Sequence, residues 1–265
     1  MDKFAGVLLA SDFDDTLYCD EGGVPSANLE ALGYFLREGG RFTVATGRAK
    51  RTFAPHFHDV PINAPVILSN GALLYDFAAG RTVVDLPLPP QAAEDLTALA
   101  DAFPSLGVEV YHGSDVYIHH PNAYTHRHVL RVDTTWTPMA LAGMPQPWSK
   151  AVIQDDHAVL LEAQAWLKAR WPERYEVIFS NAVLLECTAR HATKGGMVLR
   201  LAELLGVVFT AAAGRIFFLN SCWRRFCRYP VSPARTIHRK KMHIWIRHTK
   251  ISALVKMLPM AKSYT

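Results

Sequence analysis

Apolar runs and polar turns alternate along the first ninety residues. Gly6-Val7-Leu8-Leu9-Ala10-Ser11 is uninterrupted by charge until Asp12, so its pattern predicts a short strand over Val7 to Ala10 buried on both faces. Leu29, Leu32, Phe35 and Leu36 then recur at helical spacing, with Ser26 placed to cap the helix and Gly39-Gly40 to end it. Phe42 to Ala45 predicts a second buried strand, followed by Thr46-Gly47-Arg48 and a short helical stretch. Val66 to Leu68 predicts a third, followed by Ser69-Asn70-Gly71-Ala72. Alternating strands and helices define an α/β class with a Rossmann-like parallel sheet. Its three polar, Gly-containing turns should converge at the carboxyl ends of the strands, where such sheets bind ligands.

Leu86-Pro87-Leu88-Pro89-Pro90 breaks this pattern. Beyond it the spacing predicts a helix near 91–103, paired strands over 107–120, a Pro-rich irregular stretch through Pro147, and a strand at Val152-Ile153. A helix from His157 to Arg170 and strands over 175–179 and 183–186 follow, giving an inserted α+β cap domain. Thr193-Lys194-Gly195-Gly196 opens a helix with Met197, Leu201, Leu204 and Leu205 on one side, and Val207-Val208-Phe209 predicts a return strand. The expected organisation is a core of 1–86 and 191–214, a cap of 87–190, and a tail of 215–265.

Charge separates the tail from the body. Of 28 Lys and Arg residues, twelve fall within 207–265, where no Asp or Glu occurs; the other 16 face all 24 acids, a net charge of −8. Cys19, Cys187, Cys222 and Cys227 have no disulfide-framework spacing, and Cys187, at the end of a predicted strand, is expected to be an inert core thiol. No apolar run reaches the ~20 residues of a membrane span, and the first residues lack a signal-peptide pattern. The expected setting is a reducing, cytoplasmic one, with no membrane partner.

The chemistry lies in Asp12-Phe13-Asp14-Asp15-Thr16 at the end of the first strand. A carboxylate there can attack a phosphate ester in line, and a second one two residues on can protonate the leaving alkoxide and later take a proton from water. Asp12 and Asp14 fit those roles. A dianionic substrate also needs hydroxyl and backbone donors, a cation and a hard metal ion with oxygen ligands. Thr46 is a candidate phosphoryl donor and Lys194 a candidate cation at a helix N-terminus, while Arg48, Asn70 and Gly71 lie in the turns that would meet substrate.

These motifs resemble the haloacid dehalogenase-like hydrolases, in particular the Cof-type sugar phosphatase branch with a large α/β cap. Asp12-x-Asp14-x-Thr16 is similar to the first motif, Thr46-Gly47-Arg48 to the second, Ser69-Asn70-Gly71-Ala72 to a branch-specific turn and Lys194-Gly195 to the third; the likeness runs from residue 5 to about 214. The resemblance implies that Asp12, Asp14, Thr46 and Lys194 are nucleophile, acid/base, phosphate donor and charge-stabilising lysine. It also implies that the Asp12 carboxylate and the Asp14 carbonyl bind Mg²⁺, and that the substrate is a small phosphorylated metabolite such as a sugar phosphate.

The chain departs from the family at the fourth motif, where Ala213-Gly214-Arg215-Ile216 stands in place of Gly-Asp and further acids. Arg215 is therefore expected where a metal-binding carboxylate belongs. A shifted reading frame from about residue 213 accounts for both the missing acid and the acid-free tail, and loss of the final core elements is expected to expose an apolar sheet edge. Two alternatives stand beside an active phosphatase: a catalytically impaired or frameshifted homologue, and a nucleic-acid-binding protein. The second rests on Cys222, Cys227, His238 and His243 amid basic residues, an order approximating a zinc finger with a short central spacing. The histidines between His119 and His128 are expected on a substrate-facing cap surface rather than at a metal.

Overall fold

The computed structural model describes residues 3–18, 22–207, 215–219 and 244–246. The strand β1 (Val7–Ser11) is buried along its whole length because its five residues lack charge and lie at the centre of a parallel sheet. It pairs on one side with β2 (Arg41–Val44), reached through helix α1 (Ser26–Arg37). A bridge between Ala45 and Ile67 continues the parallel arrangement to β3 (Val66–Leu68). The α1 helix seats Leu32 and Phe35 in a cluster with Phe4, Leu9, Phe13, Phe42 and Val44. Pro25, not Ser26, occupies the position before its first turn, and no side chain caps it. A proline tolerates that site because its missing N–H has no partner to lose.

After β3 the chain forms an antiparallel meander with β4 (Leu73–Asp76) and β5 (Arg81–Asp85) that the sequence pattern did not predict. The short helix α2 (Lys50–Phe53) follows the second turn, as expected. Residues 107–189 supply a separate six-stranded sheet. In spatial order it consists of β10 (Tyr175–Asn181), β11 (Leu184–Ala189), β9 (Lys150–Gln154), β6 (Gly107–His112), β7 (Asp115–His119) and β8 (Thr137–Pro138). Its outer face packs under α3 (Ala92–Ala102) and α5 (His157–Arg170) through Leu96, Leu99, Leu160 and Leu167. Its other face carries α4 (Ala123–Arg131), formed by the histidine-rich stretch and opened by a capping box between Asn122 and Thr125.

Helix α6 (Lys194–Leu204) returns to the first sheet and seats Met197, Val198, Leu201 and Ala202 against Leu8, Ala10 and Ile67. Of the return strand expected at 207–209, Val207 is buried coil, and Val208 and Phe209 lie outside the described residues. The neighbour of β1 is β12 (Arg215–Leu219), itself paired in parallel with β13 (Ile244–Ile246). Residues expected to begin an unrelated tail thus extend the core sheet, because Ile216-Phe217-Phe218-Leu219 is an apolar run suited to a central strand. The edge of β1 expected to be exposed is covered.

That register also moves Arg215. It stands opposite Val7 at the start of β1, and Leu219 stands opposite Ser11 at the end that leads to Asp12. Five residues of strand separate Arg215 from the level of Asp12, roughly 15 Å of rise, so it does not occupy the carboxylate position of a fourth motif. The equivalent level on β12 falls after Leu219, outside the described residues.

Candidate active site

Each turn at the carboxyl end of the core sheet is tied to the next. Beyond β1, Phe13 is fully buried, stacks on Tyr18 at 4.8 Å and meets Phe53 edge-on at 5.2 Å. Its carbonyl accepts from the amides of Leu17 and Tyr18 at 3.0 and 2.9 Å, and Asp15 takes φ 57° to close the turn. Anchoring Phe13 in the core leaves its neighbours Asp12 and Asp14 in the turn above the sheet. Asp12 is nearly buried: its Oδ1 accepts from the Phe13 amide at 3.0 Å and from Lys194 Nζ at 2.7 Å.

Asp14 receives Arg48 through two nitrogens, with Nη2 at 2.7 Å from Oδ1 and Nε at 3.0 and 3.2 Å from the two oxygens. Such a forked, charge-assisted pair fixes direction as well as distance. The guanidinium lies 5.3 Å from the Phe13 ring centroid, within cation–π range. Thr46 is fully buried; its amide donates to Ile67 O at 2.9 Å and its hydroxyl accepts from the Arg48 amide at 3.1 Å. With one lone pair so engaged, the hydroxyl proton remains available to a phosphoryl oxygen.

The third turn runs Ser69-Asn70-Gly71 with φ of 48°, 57° and 102°. Asn70 N donates to Thr46 O at 3.0 Å and Ser69 N to Arg48 O at 2.9 Å, joining this turn to the second. Gly71 has a further reason to be glycine: a Cβ there would lie 2.3 Å from Thr193 O. Thr193 is the N-cap of α6, accepting from Gly196 N at 3.0 Å, so close packing of Gly71 on its backbone sets where Lys194 begins. Asp12, Asp14, Thr46, Arg48, Asn70, Gly71 and Lys194 are thus brought together from four segments of the chain.

Among the described residues, neither Asp12 Oδ2 nor the Asp14 carbonyl has a hydrogen-bond partner, and no group of three His, Cys, Asp or Glu side chains is arranged to hold a metal. The Asp14 carbonyl and the Asp12 carboxylate are hard oxygen donors of the kind that suit Mg²⁺, which is commonly held by one or two carboxylates with water and substrate phosphate completing its shell. The histidine stretch forms no such cluster: His119 and His120 stack at 3.9 Å, and His128 Nδ1 meets Glu109 Oε2 at 2.8 Å. Cys222, Cys227, His238 and His243 lie outside the described residues.

Two residues that the sequence did not single out also reach this site. Lys150 on β9 and Glu186 on β11 are nearly buried and paired at 3.0 Å, and Lys150 Nζ donates to Gly47 O at 3.0 Å. The same ammonium lies 4.6 Å from the Tyr111 ring. Tyr111 donates to Glu109, which also accepts from Gln154 at 2.8 Å. Burial pushes the Glu109 carboxyl up, but bonds to His128 and Tyr111 and the charge of Lys150 outweigh it and hold it below the ordinary glutamate range. Burial and the Glu109 charge push the Tyr111 hydroxyl well up.

A parallel core sheet with a carboxylate pair, a lysine and a buried threonine at its carboxyl edge, under a second sheet, is an α/β hydrolase architecture of the phosphoryl-transfer kind. The profile of haloacid dehalogenase-like hydrolases matches residues 9–211, and the chain belongs to that family. The pyridoxal phosphate phosphatase YbhA of Escherichia coli is 27% identical over 112 residues, which span 42% of this chain and 41% of that protein. A haloacid dehalogenase-like hydrolase from Bacteroides thetaiotaomicron superposes with TM-score 0.69 at 19% identity, covering 82% of each chain. A haloacid dehalogenase subclass IIB sugar phosphatase superposes with TM-score 0.66 at 15% identity, covering 80% of this chain and 79% of that one. A relative from Bacillus subtilis gives 0.66 at 22% identity over 81% and 82%. These likenesses establish the fold.

Proposed function

We propose that this chain hydrolyses a small phosphate monoester in two in-line displacements through an aspartyl phosphate on Asp12. The carrying observation is the 2.7 Å contact of Lys194 Nζ with Asp12 Oδ1, which leaves Oδ2 as the attacking oxygen. That oxygen forms a bond to phosphorus as the ester P–O bond breaks, and Asp14 gives its proton to the departing alkoxide. Water then attacks the same phosphorus, its proton passes to Asp14, and the bond to Asp12 breaks to release inorganic phosphate and the free carboxylate. Thr46 donates its hydroxyl proton to a phosphoryl oxygen, and Lys194 offsets negative charge as it moves from carboxylate to phosphoryl group. Arg48, Asn70 and Gly71 are the substrate-binding residues of this reading, held in the turns beside Asp14, Thr46 and Thr193.

Mg²⁺ would be held by the Asp12 carboxylate and the Asp14 carbonyl and, when bound, would neutralise charge on the transferring group. The division into a core and an inserted cap of 87–190 is part of this reading, with β12 and β13 counted in the core sheet rather than in a tail, as is a cytoplasmic setting; among the described residues no helix is long and apolar enough to cross a membrane. The named relatives favour a phosphorylated sugar or pyridoxal phosphate as substrate. The test is phosphate release from an aryl phosphate with Mg²⁺ by the wild type and by Asp12→Asn, followed by a panel of sugar phosphates and pyridoxal 5′-phosphate. Activity abolished by Asp12→Asn supports the proposal. Folded wild type that releases no phosphate from any of them favours instead the impaired homologue, whose supporting observation is the acid-free stretch after Glu203.

A further inference from the structure

The Lys150–Glu186 pair is not explained by stability of its own sheet. Lys150 opens β9 ahead of the apolar run Ala151-Val152-Ile153, Glu186 interrupts the apolar run Leu184-Leu185-Glu186-Cys187 of β11, and both are buried, where an ion pair is a poor substitute for apolar packing. Both face the first sheet. Lys150 Nζ crosses to the turn between Thr46 and Arg48, where its partner is the Gly47 carbonyl, 103 positions away in sequence. The turn is closely packed there: a Cβ at Gly47 would lie 3.2 Å from Asn70 Oδ1, which would have to give by a few tenths of an ångström, and in ordinary contact with Glu186 Oε1 at 3.5 Å.

The Gly47 carbonyl and the Arg48 amide belong to one planar peptide unit. Its oxygen is held by Lys150 and its N–H donates to Thr46 Oγ1 at 3.1 Å. Fixing one end of the plane fixes the other, so the ammonium from the second sheet sets the direction in which the Thr46 hydroxyl is held. Glu186 fixes Lys150 in turn, and the Tyr111 ring supports its remaining face. Among the described residues, two further polar contacts between the sheets' turns, Arg51 to Ser114 O at 3.3 Å and Arg131 to Asp15 at 3.8 Å, are exposed and do not reach this peptide.

We propose that Lys150, held by Glu186, is a positioning residue for the phosphoryl donor Thr46, acting through the Gly47–Arg48 peptide so that docking of the second sheet completes the phosphate site. This rests on the phosphatase reading above. The test variant is Lys150→Met combined with Glu186→Gln, which removes the ammonium without leaving a buried carboxylate unpaired. Its kcat on an aryl phosphate is expected to fall at least tenfold with KM within threefold, and amide hydrogen exchange over residues 45–53 to speed up while the second sheet keeps its protection. In a Thr46→Val background the same pair of substitutions should change kcat less than twofold, since the group they position is gone.

Unchanged exchange over 45–53 overturns the inference, and so do penalties that multiply fully with Thr46→Val. Faster exchange throughout the second sheet would assign the pair a merely structural role and overturn it as well. Wild type that hydrolyses the aryl phosphate while the double variant keeps its kcat sinks this inference alone. Wild type that hydrolyses nothing sinks the phosphatase reading, and the exchange measurement then decides the coupling by itself.

Discussion

Replacing Gly71 by alanine tests whether the turn after β3 sets the position of Lys194. The new Cβ would lie 2.3 Å from Thr193 O and 2.4 Å from its carbonyl carbon, both backbone atoms at the start of α6. The contact must open by roughly 1 Å to reach ordinary van der Waals separation, and a displacement of that size at a catalytic group costs about a hundredfold in rate. Strain adds to it, because φ at Gly71 is +102°, a conformation that L side chains rarely adopt. Strain of about 1–2 kcal/mol and overpacking of about 1–3 kcal/mol together place the stability loss near 3 kcal/mol. For a chain of this size that is a drop in Tm of roughly 6–12 °C.

Gly80→Ala is the matched control. Gly80 also has positive φ, +64°, but nothing lies within 4 Å of its Cβ position. It should lose about 1–2 kcal/mol from strain alone and keep its kcat. The assay is aryl phosphate hydrolysis alongside thermal unfolding for both variants. If Gly71→Ala matches Gly80→Ala in Tm and kcat, the close approach to Thr193 does not position Lys194 and the reasoning is wrong.

Arg48→Lys keeps the charge but cannot reproduce the forked contact with Asp14; losing about 1.5–3 kcal/mol of charged hydrogen bonding should lower kcat/KM roughly ten- to a hundredfold, and full activity would argue against a role for that geometry. Glu109 has its carboxyl held low in the folded protein, so its contribution to stability is present above the unfolded value, about 4.5, and is lost as pH falls through the folded one. Denaturation curves of wild type and Glu109→Gln should therefore differ at pH 7, begin to approach each other as pH drops below about 4.5 and converge only below the lower folded value, while a constant gap would contradict the assignment. Burial pushes the Cys187 thiol well above its ordinary range, so its peptide should stay unalkylated by iodoacetamide at pH 8 until the protein is unfolded, as followed by mass spectrometry.

Local pattern carried much of the core. Val7 to Ala10, Val66 to Leu68 and the helix His157–Arg170 were legible because each is a long enough apolar or periodic run with clear punctuation. The β4–β5 meander was not, since its strands mix apolar with charged positions, Asp76 in one and Arg81 and Asp85 in the other. The α4 helix was hidden by histidines, although Asn122-x-x-Thr125 carried its start signal. Within the site, Asp12, Asp14, Thr46 and Lys194 stood out because each follows a strand or opens a helix. Lys150 and Glu186 gave a weaker sign, a charge at the start of one apolar run and inside another, and their partnership exists only once β9 and β11 are side by side. Arg215 was misplaced for the opposite reason: residue order was taken as spatial position, and strand register moved it to the other end of β1.

The salt bridge between Asp12 and Lys194 joins residues 182 positions apart. At ribosomal speeds of about 5–20 residues per second, roughly 10–35 seconds separate their synthesis. Asp12 waits through that interval without its counter-charge, and its strand waits longer still for β12. On the proposed mechanism the chemistry waits for the chain to return to its first sheet: a nascent or prematurely terminated chain that stops within the second sheet carries Asp12 but no lysine to support it, and is expected to be silent.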